Sequence, residues 1–227
     1  MPIETLKIQI SDTIEPVPAE DWDRLVGPQG TPFMEYAWLR AMEVAQCVEP
    51  DVGWMPQIVT AWATTDGDDS SDRLVGAVPL YLKGNSRGEF VYDWAWADLA
   101  RRVGVQYYPK LIAAVPFSPV SGARLLTDPG LDDEERDTVL RTLIRVSVQL
   151  AQELGVSGMH FLFVTPEHAA VLKDEGLMIR NHYQYHWRNE NYRSLDDFLA
   201  RFKAKKRGKL KGDPRLVHVA YFPFEFA

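Results

Sequence analysis

The sequence predicts an α/β (α+β) fold in which helices flank one mixed, largely antiparallel sheet. Segments of alternating or continuous apolar character interleave with segments of three-to-four-residue periodicity. Several strand-type segments follow one another through short polar connections, which favours antiparallel neighbours. An apolar share of 46%, with seven Trp, nine Tyr and ten Phe in 227 residues, supplies a sizeable core and excludes a disordered chain.

Taken in order, residues 6–10 alternate and open the chain as a strand. Residues 19–26 form a short helix after Pro18, stopped by Gly27-Pro28. A second helix over 35–46 brings Trp38, Leu39, Met42 and Ala45 or Gln46 round on successive turns. Residues 57–63 and 74–82 read as two strands joined by a polar, acidic loop. Residues 90–93 lead into a helix over 94–103 closed by Gly104, and 108–115 is the next strand. The clearest helix spans 133–154, with Leu140, Leu143, Leu150 and Leu154 near one seam and Gly155 as its stop. Residues 158–164 form a strand of buried type. Thr165 caps a helix with Pro166 at its first position, Gly176 ends it, and 177–187 returns as a long strand.

Charge is unevenly placed. The stretch from Arg201 to Lys211 holds seven of the 25 basic residues and no acid, leaving 18 basic residues against 32 acidic ones elsewhere. It is either a phosphate-binding segment or a solvated helix end. Ser194 and Asp197 resemble a capping box, and Leu195, Phe198, Leu199 and Phe202 form an apolar stripe, with Phe198 and Phe202 expected as anchors. That stripe continues as Lys206 and Lys209, so a single helix is expected to turn cationic before stopping at Gly208. The phosphate-binding candidates are Arg201, Lys205, Lys206 and Arg207.

Cys47 stands alone, which excludes an intrachain disulfide and points to a reducing, cytoplasmic setting. The first residues lack the apolar region of a signal peptide, and no run approaches the length of a membrane span. Phosphate-loop, nucleophile-elbow and zinc-protease motifs are absent, and no His sits at metal spacing with Cys partners. His182, Gln184 and His186 alternate on the last strand and either face a cleft or form its solvent side. His160 reads as a core histidine. Tyr92-Asp93-Trp94-Ala95-Trp96-Ala97-Asp98 is aromatic and acidic at a strand-to-helix junction. Tyr107-Tyr108-Pro109-Lys110 opens a strand whose far end carries the stiff loop Val115-Pro116-Phe117-Ser118-Pro119-Val120-Ser121-Gly122. At least two of these three segments are expected to line one pocket, with His186 or Lys110 at its rim.

These segments, together with Met159-His160-Phe161-Leu162-Phe163, Gln184-Tyr185-His186-Trp187-Arg188-Asn189 and Phe198 through Arg207, resemble the bacterial FemAB-like "peptidoglycan biosynthesis/recognition" family from about residue 32 to about residue 210. The resemblance implies a fold of the N-acetyltransferase (GNAT) superfamily and an acyl- or aminoacyl-transferase, or its substrate-binding half, acting on a peptidoglycan-type amine. The implied donor is acyl-CoA or aminoacyl-tRNA, and the acceptor a small molecule or cell-wall precursor. Tyr108 and His186 would be catalytic, and Trp94, Trp96, Lys110, Phe117 and Ser118 would contact substrate.

Two features depart from the family pattern. A second acyltransferase-like domain is expected after the basic helix and is not seen. Arg101-Arg102-Val103-Gly104-Val105-Gln106 misses the last position of the acetyl-CoA signature. These departures keep open a non-catalytic binding module, or a homodimer that replaces the tandem partner. The expected divisions are a GNAT-like domain over 1–193, the basic amphipathic helix over 194–212 and an unmatched segment over 213–227.

Overall fold

A computed structural model describes residues 5–28, 30–64, 72–181, 183, 185 and 188–212. The chain divides into two compact units, Met1–Ile179 and Arg180–Ala227. The first begins with strand β1 (Thr5–Ser11), helices α1 (Ala19–Val26) and α2 (Tyr36–Val44), and the long strands β2 (Trp54–Thr64) and β3 (Arg73–Lys83). Helix α3 (Trp94–Arg102), strands β4 (Lys110–Ala113) and β5 (Leu126–Thr127), helix α4 (Asp133–Glu153), strand β6 (Met159–Phe161) and helix α5 (Pro166–Asp174) complete it.

The sheet runs β1-β2-β3-β4-β6, antiparallel throughout except for the parallel β4–β6 pair. The expected fold class is therefore the observed one. Strand β3 is almost wholly buried, which explains its continuous apolar reading, Leu74 to Leu82. One edge of β3 pairs along its length with β2, while the other is shared end to end by β5, at Gly76–Ala77, and β4, at Leu80–Lys83. Strand β5 has two residues, too short for a periodicity to announce it.

Each face of the sheet buries a helical layer. Val59, Val78, Leu80 and Leu111 pack with Val139, Leu143 and Ile144 of α4. That helix starts in a full capping box, in which Asp132 accepts from the Glu135 N–H and the Glu135 carboxylate accepts from the Asp132 N–H. Ile58, Leu74 and Ala77 pack on the other face with Trp22, Leu25, Met34 and Leu39. The Trp22 indole donates to the Met34 carbonyl at 2.8 Å, so its one polar atom is satisfied inside the core. A third cluster, Val48, Trp54, Tyr81, Ile112 and Leu162, lies at the end of β3 where the candidate site is built.

Beyond α5 the structure departs from the sequence reading. Among the described residues of 177–187 there is no strand, and Met178, Tyr183 and Tyr185 are exposed. Alternation becomes a strand only where a neighbouring strand supplies hydrogen bonds, and the described residues of this segment pair with none. His182, Gln184, His186 and Trp187 lie outside the described residues. The single basic helix is also two: α6 (Leu195–Ala200) and α7 (Ala204–Lys211).

Phe202 folds back to stack edge-on against Phe198 at 5.2 Å, and Lys203 takes extended dihedrals as the cap of a new helix. The break removes the helical i,i+4 repulsion between Arg201 and Lys205. Gly208, expected as the stop, is inside α7. Ser194 caps α6 as expected, whereas Asp197 accepts from the Arg193 N–H instead of completing a box with Ser194. No described helix is long and apolar enough to cross a membrane.

Candidate functional site

Lys83 closes β3 and Lys110 opens β4, and the antiparallel register places them directly opposite each other. Like charges so paired repel, and both residues are buried. The connection between β3 and α3 resolves the conflict. It folds over the strand ends and delivers Glu89 and Asp93, whose carboxylates accept from the Lys110 ammonium at 2.7 and 2.6 Å. Asp93 sits at the N-cap of α3, yet its side chain does not cap the helix. It also accepts from the Tyr107 hydroxyl at 2.7 Å. Lys83 instead donates to the Arg87 carbonyl at 3.1 Å and lies 3.8 Å over the Trp54 ring.

The electrostatics follow from this burial. Loss of water, with Lys110 adding repulsion against the pull of Glu89, lowers the Lys83 amine to about 7. Burial raises the Glu89 carboxyl, opposed by the hydrogen bond from Lys110. Burial also pushes Asp93 upward, but its bonds from Lys110, Ser86 and Tyr107 outweigh that and hold it below the usual carboxylate range. The Tyr107 hydroxyl is raised by burial and by the Asp93 carboxylate it faces. One oxygen of each acid, Glu89 Oε1 and Asp93 Oδ1, is buried without a protein partner.

A polar path leads out of this cluster. Lys110 Nζ donates to Ser86 Oγ at 3.0 Å, and Ser86 Oγ lies 2.7 Å from the Tyr108 hydroxyl. Tyr108, half-buried, forms part of the wall of an open depression of about 430 Å³ with Ala97, Asp98, Arg101, Val105 and Tyr107. Phe117 packs its ring 5.3 Å from Trp54, on the far side of the cluster. Phe90, Phe117 and Phe163 all have positive φ, of 58°, 56° and 54°. That conformation is costly for bulky residues and concentrates at functional sites.

The structure thus brings Tyr108 and Lys110 together through Ser86 and sets Phe117 beside the same cluster. Ser118 is half-buried in the next turn, its N–H donating to the Val115 carbonyl. Trp94 and Trp96 are exposed on α3. The depression takes its walls from α3 and the Tyr107–Tyr108 segment, and loop 116–122 is not among them. His160 is half-buried on β6. In the second unit Arg201 pairs with Glu190 at 3.2 Å, Lys205 and Lys206 are exposed, and Arg207 donates to the Phe202 carbonyl.

Sequence reasoning did not single out Lys83, Ser86 or Glu89. The only signal for Lys83 is a lysine ending a strand that is otherwise apolar, and Ser86 and Glu89 give none. Arg124 was missed as well. It is fully buried, donates to the carbonyls of Leu162 and Ala123 at 3.0 and 3.1 Å and to that of Val120, and so ties down loop 116–123. Burial lowers its guanidinium to about 10. Among the described residues no three His, Cys, Asp or Glu side chains are grouped as metal ligands would be.

No curated protein matches the chain. The FemAB-like family, described as peptidoglycan biosynthesis/recognition, matches residues 13–225, nearly its whole length. The motif resemblance, the α/β sheet and this match agree: the chain belongs to the FemAB-like family.

Proposed function

We propose that the chain is an N-acyltransferase of the GNAT type, or the substrate-binding half of one, that acts on an amine of a peptidoglycan precursor. The observation that carries this reading is the Tyr108 hydroxyl in the wall of an open depression, joined through Ser86 to the buried Lys110 cluster. In acyl transfer the amine nitrogen bonds to the acyl carbon, the donor's C–S or C–O bond breaks, and the amine loses a proton that the leaving group finally receives. A hydroxyl held at a fixed point beside the amine can relay that proton. The donor would be acyl-CoA or aminoacyl-tRNA, with Arg201, Lys205, Lys206 and Arg207 suited to its phosphates.

A second reading, a binding module without catalysis, is favoured by one observation. Lys110 spends its ammonium on two carboxylates and a serine hydroxyl, which ties it into the fold and away from a substrate.

The two readings separate when muropeptides bearing a free amine are incubated with acyl-CoA or aminoacyl-tRNA and acyl transfer is followed by mass spectrometry. Transfer is expected from one donor, with Tyr108→Phe slowing it by about 10²-fold or more while the fold is retained. Equal rates in Tyr108→Phe would remove Tyr108 from the mechanism. Muropeptide binding without transfer from either donor would select the binding module.

A further inference from the structure

Resting on the peptidoglycan reading, we infer that the Trp94 face of α3, with the depression it runs into, binds the glycan chain, a β-linked run of N-acetylated hexosamines. Helix α3 has no buried residue over its nine positions. Its side chains therefore do little for the core, although two are tryptophans. On a helix, Trp94, Ala97 with Asp98, and Arg101 fall on one stripe, whereas Trp96 points away from it. Ala97, Asp98 and Arg101 form the α3 wall of the depression, which Tyr107 and Tyr108 also line. Trp94 extends that wall by one turn, about 5 Å. Tyr92 meets the Trp94 ring edge-on at 6.2 Å, and the two are 72% and 64% exposed. The result is a surface of exposed aromatic rings that continues along α3 into a depression lined by two further tyrosines.

The chemistry of this surface fits a sugar chain better than other occupants. A pyranose has a flat C–H face, which lies against an aromatic ring that loses few rotors on binding. Its rim of hydroxyl and acetamido groups needs planar donors and acceptors. Asp98, bonded to Arg101 and at 2.6 Å to Arg102, supplies them in a fixed arrangement. The three charges sum to one positive charge, too little to hold a polyanion. An apolar protein partner would have to dry out this ion network, at a desolvation cost that its attraction does not reliably offset.

The test uses chitotetraose, a glycan run with no free amine and no peptide, so that it reads this surface independently of acyl transfer. Titration followed by tryptophan fluorescence and calorimetry compares wild type with Trp94→Ala and with Leu99→Ala, an exposed α3 residue off that stripe, with thermal melts to confirm that both variants fold. Wild type and Leu99→Ala are expected to bind alike, and Trp94→Ala at least about tenfold more weakly. Absence of wild-type binding up to about 10 mM, undiminished binding by Trp94→Ala, or equal loss in both variants would each overturn the inference. Acyl transfer to muropeptides could persist under any of those outcomes, in which case the proposed function stands and the glycan surface does not.

Discussion

At the scale of single residues, the site is a problem of buried charge. Lys110 neutralises Glu89 and Asp93 in a buried setting. Lys110→Met keeps most of the volume and strands both acids, and should cost about 3–5 kcal/mol in denaturant unfolding. Adding Glu89→Gln and Asp93→Asn should recover part of that loss. A cost below about 1 kcal/mol in the single variant would mean that the acids find water instead. Lys83 behaves differently, because its amine is lowered to about 7 from an ordinary value of 10.5.

Between those values the unfolded chain binds a proton at Lys83 that the folded chain does not. By linkage the folded state therefore gains stability as pH rises through that window, and loses it as pH falls towards 7. The urea midpoint should climb from about pH 7 to about pH 9, and Lys83→Met should flatten the climb. An identical pH slope in the variant would contradict the assignment.

At the scale of elements, α4 packs tightly on the sheet. Gly76 lies on β3 where a Cβ would sit 2.5 Å from Val139 Cγ1 and 3.2 Å from Leu143 Cδ1. Both neighbours are fully buried, so neither can turn away into solvent. Gly76→Ala should destabilise by about 1–3 kcal/mol through overpacking, measured by thermal unfolding. Val139→Ala in the same chain should relieve part of that cost, a non-additivity expected only of touching groups. Farther along, Glu175 beyond α5 accepts from Arg141 and Arg145 of α4 at 2.8–3.0 Å, which fastens the two helices by an exposed clamp. The two arginines hold its carboxyl down to about 2.

At the scale of the molecule, the sequence by itself determined the fold class, most of the elements and the family. Helix α1 lies over the residues expected from its Pro18 start and Gly27 stop, α4 ends just before its expected Gly155 stop, and α5 starts from its Thr165 cap. Such signals are local, carried by neighbours within one or two turns, and need no tertiary context. Tyr108 and Lys110 were legible as candidates because they fall in a family motif beside a strand.

Only the tertiary structure decided what Lys110 does. Its partners Ser86 and Glu89 come from a connection with no pattern of its own, and the cross-strand pairing with Lys83 depends on a register the sequence does not print. The absence of a strand among the described residues of 177–187 and the break between α6 and α7 have the same origin. A strand needs a neighbour, and a helix gives way where a ring stack and repelling cations outweigh one turn of backbone hydrogen bonds. Those balances are set by groups that meet only in the folded chain.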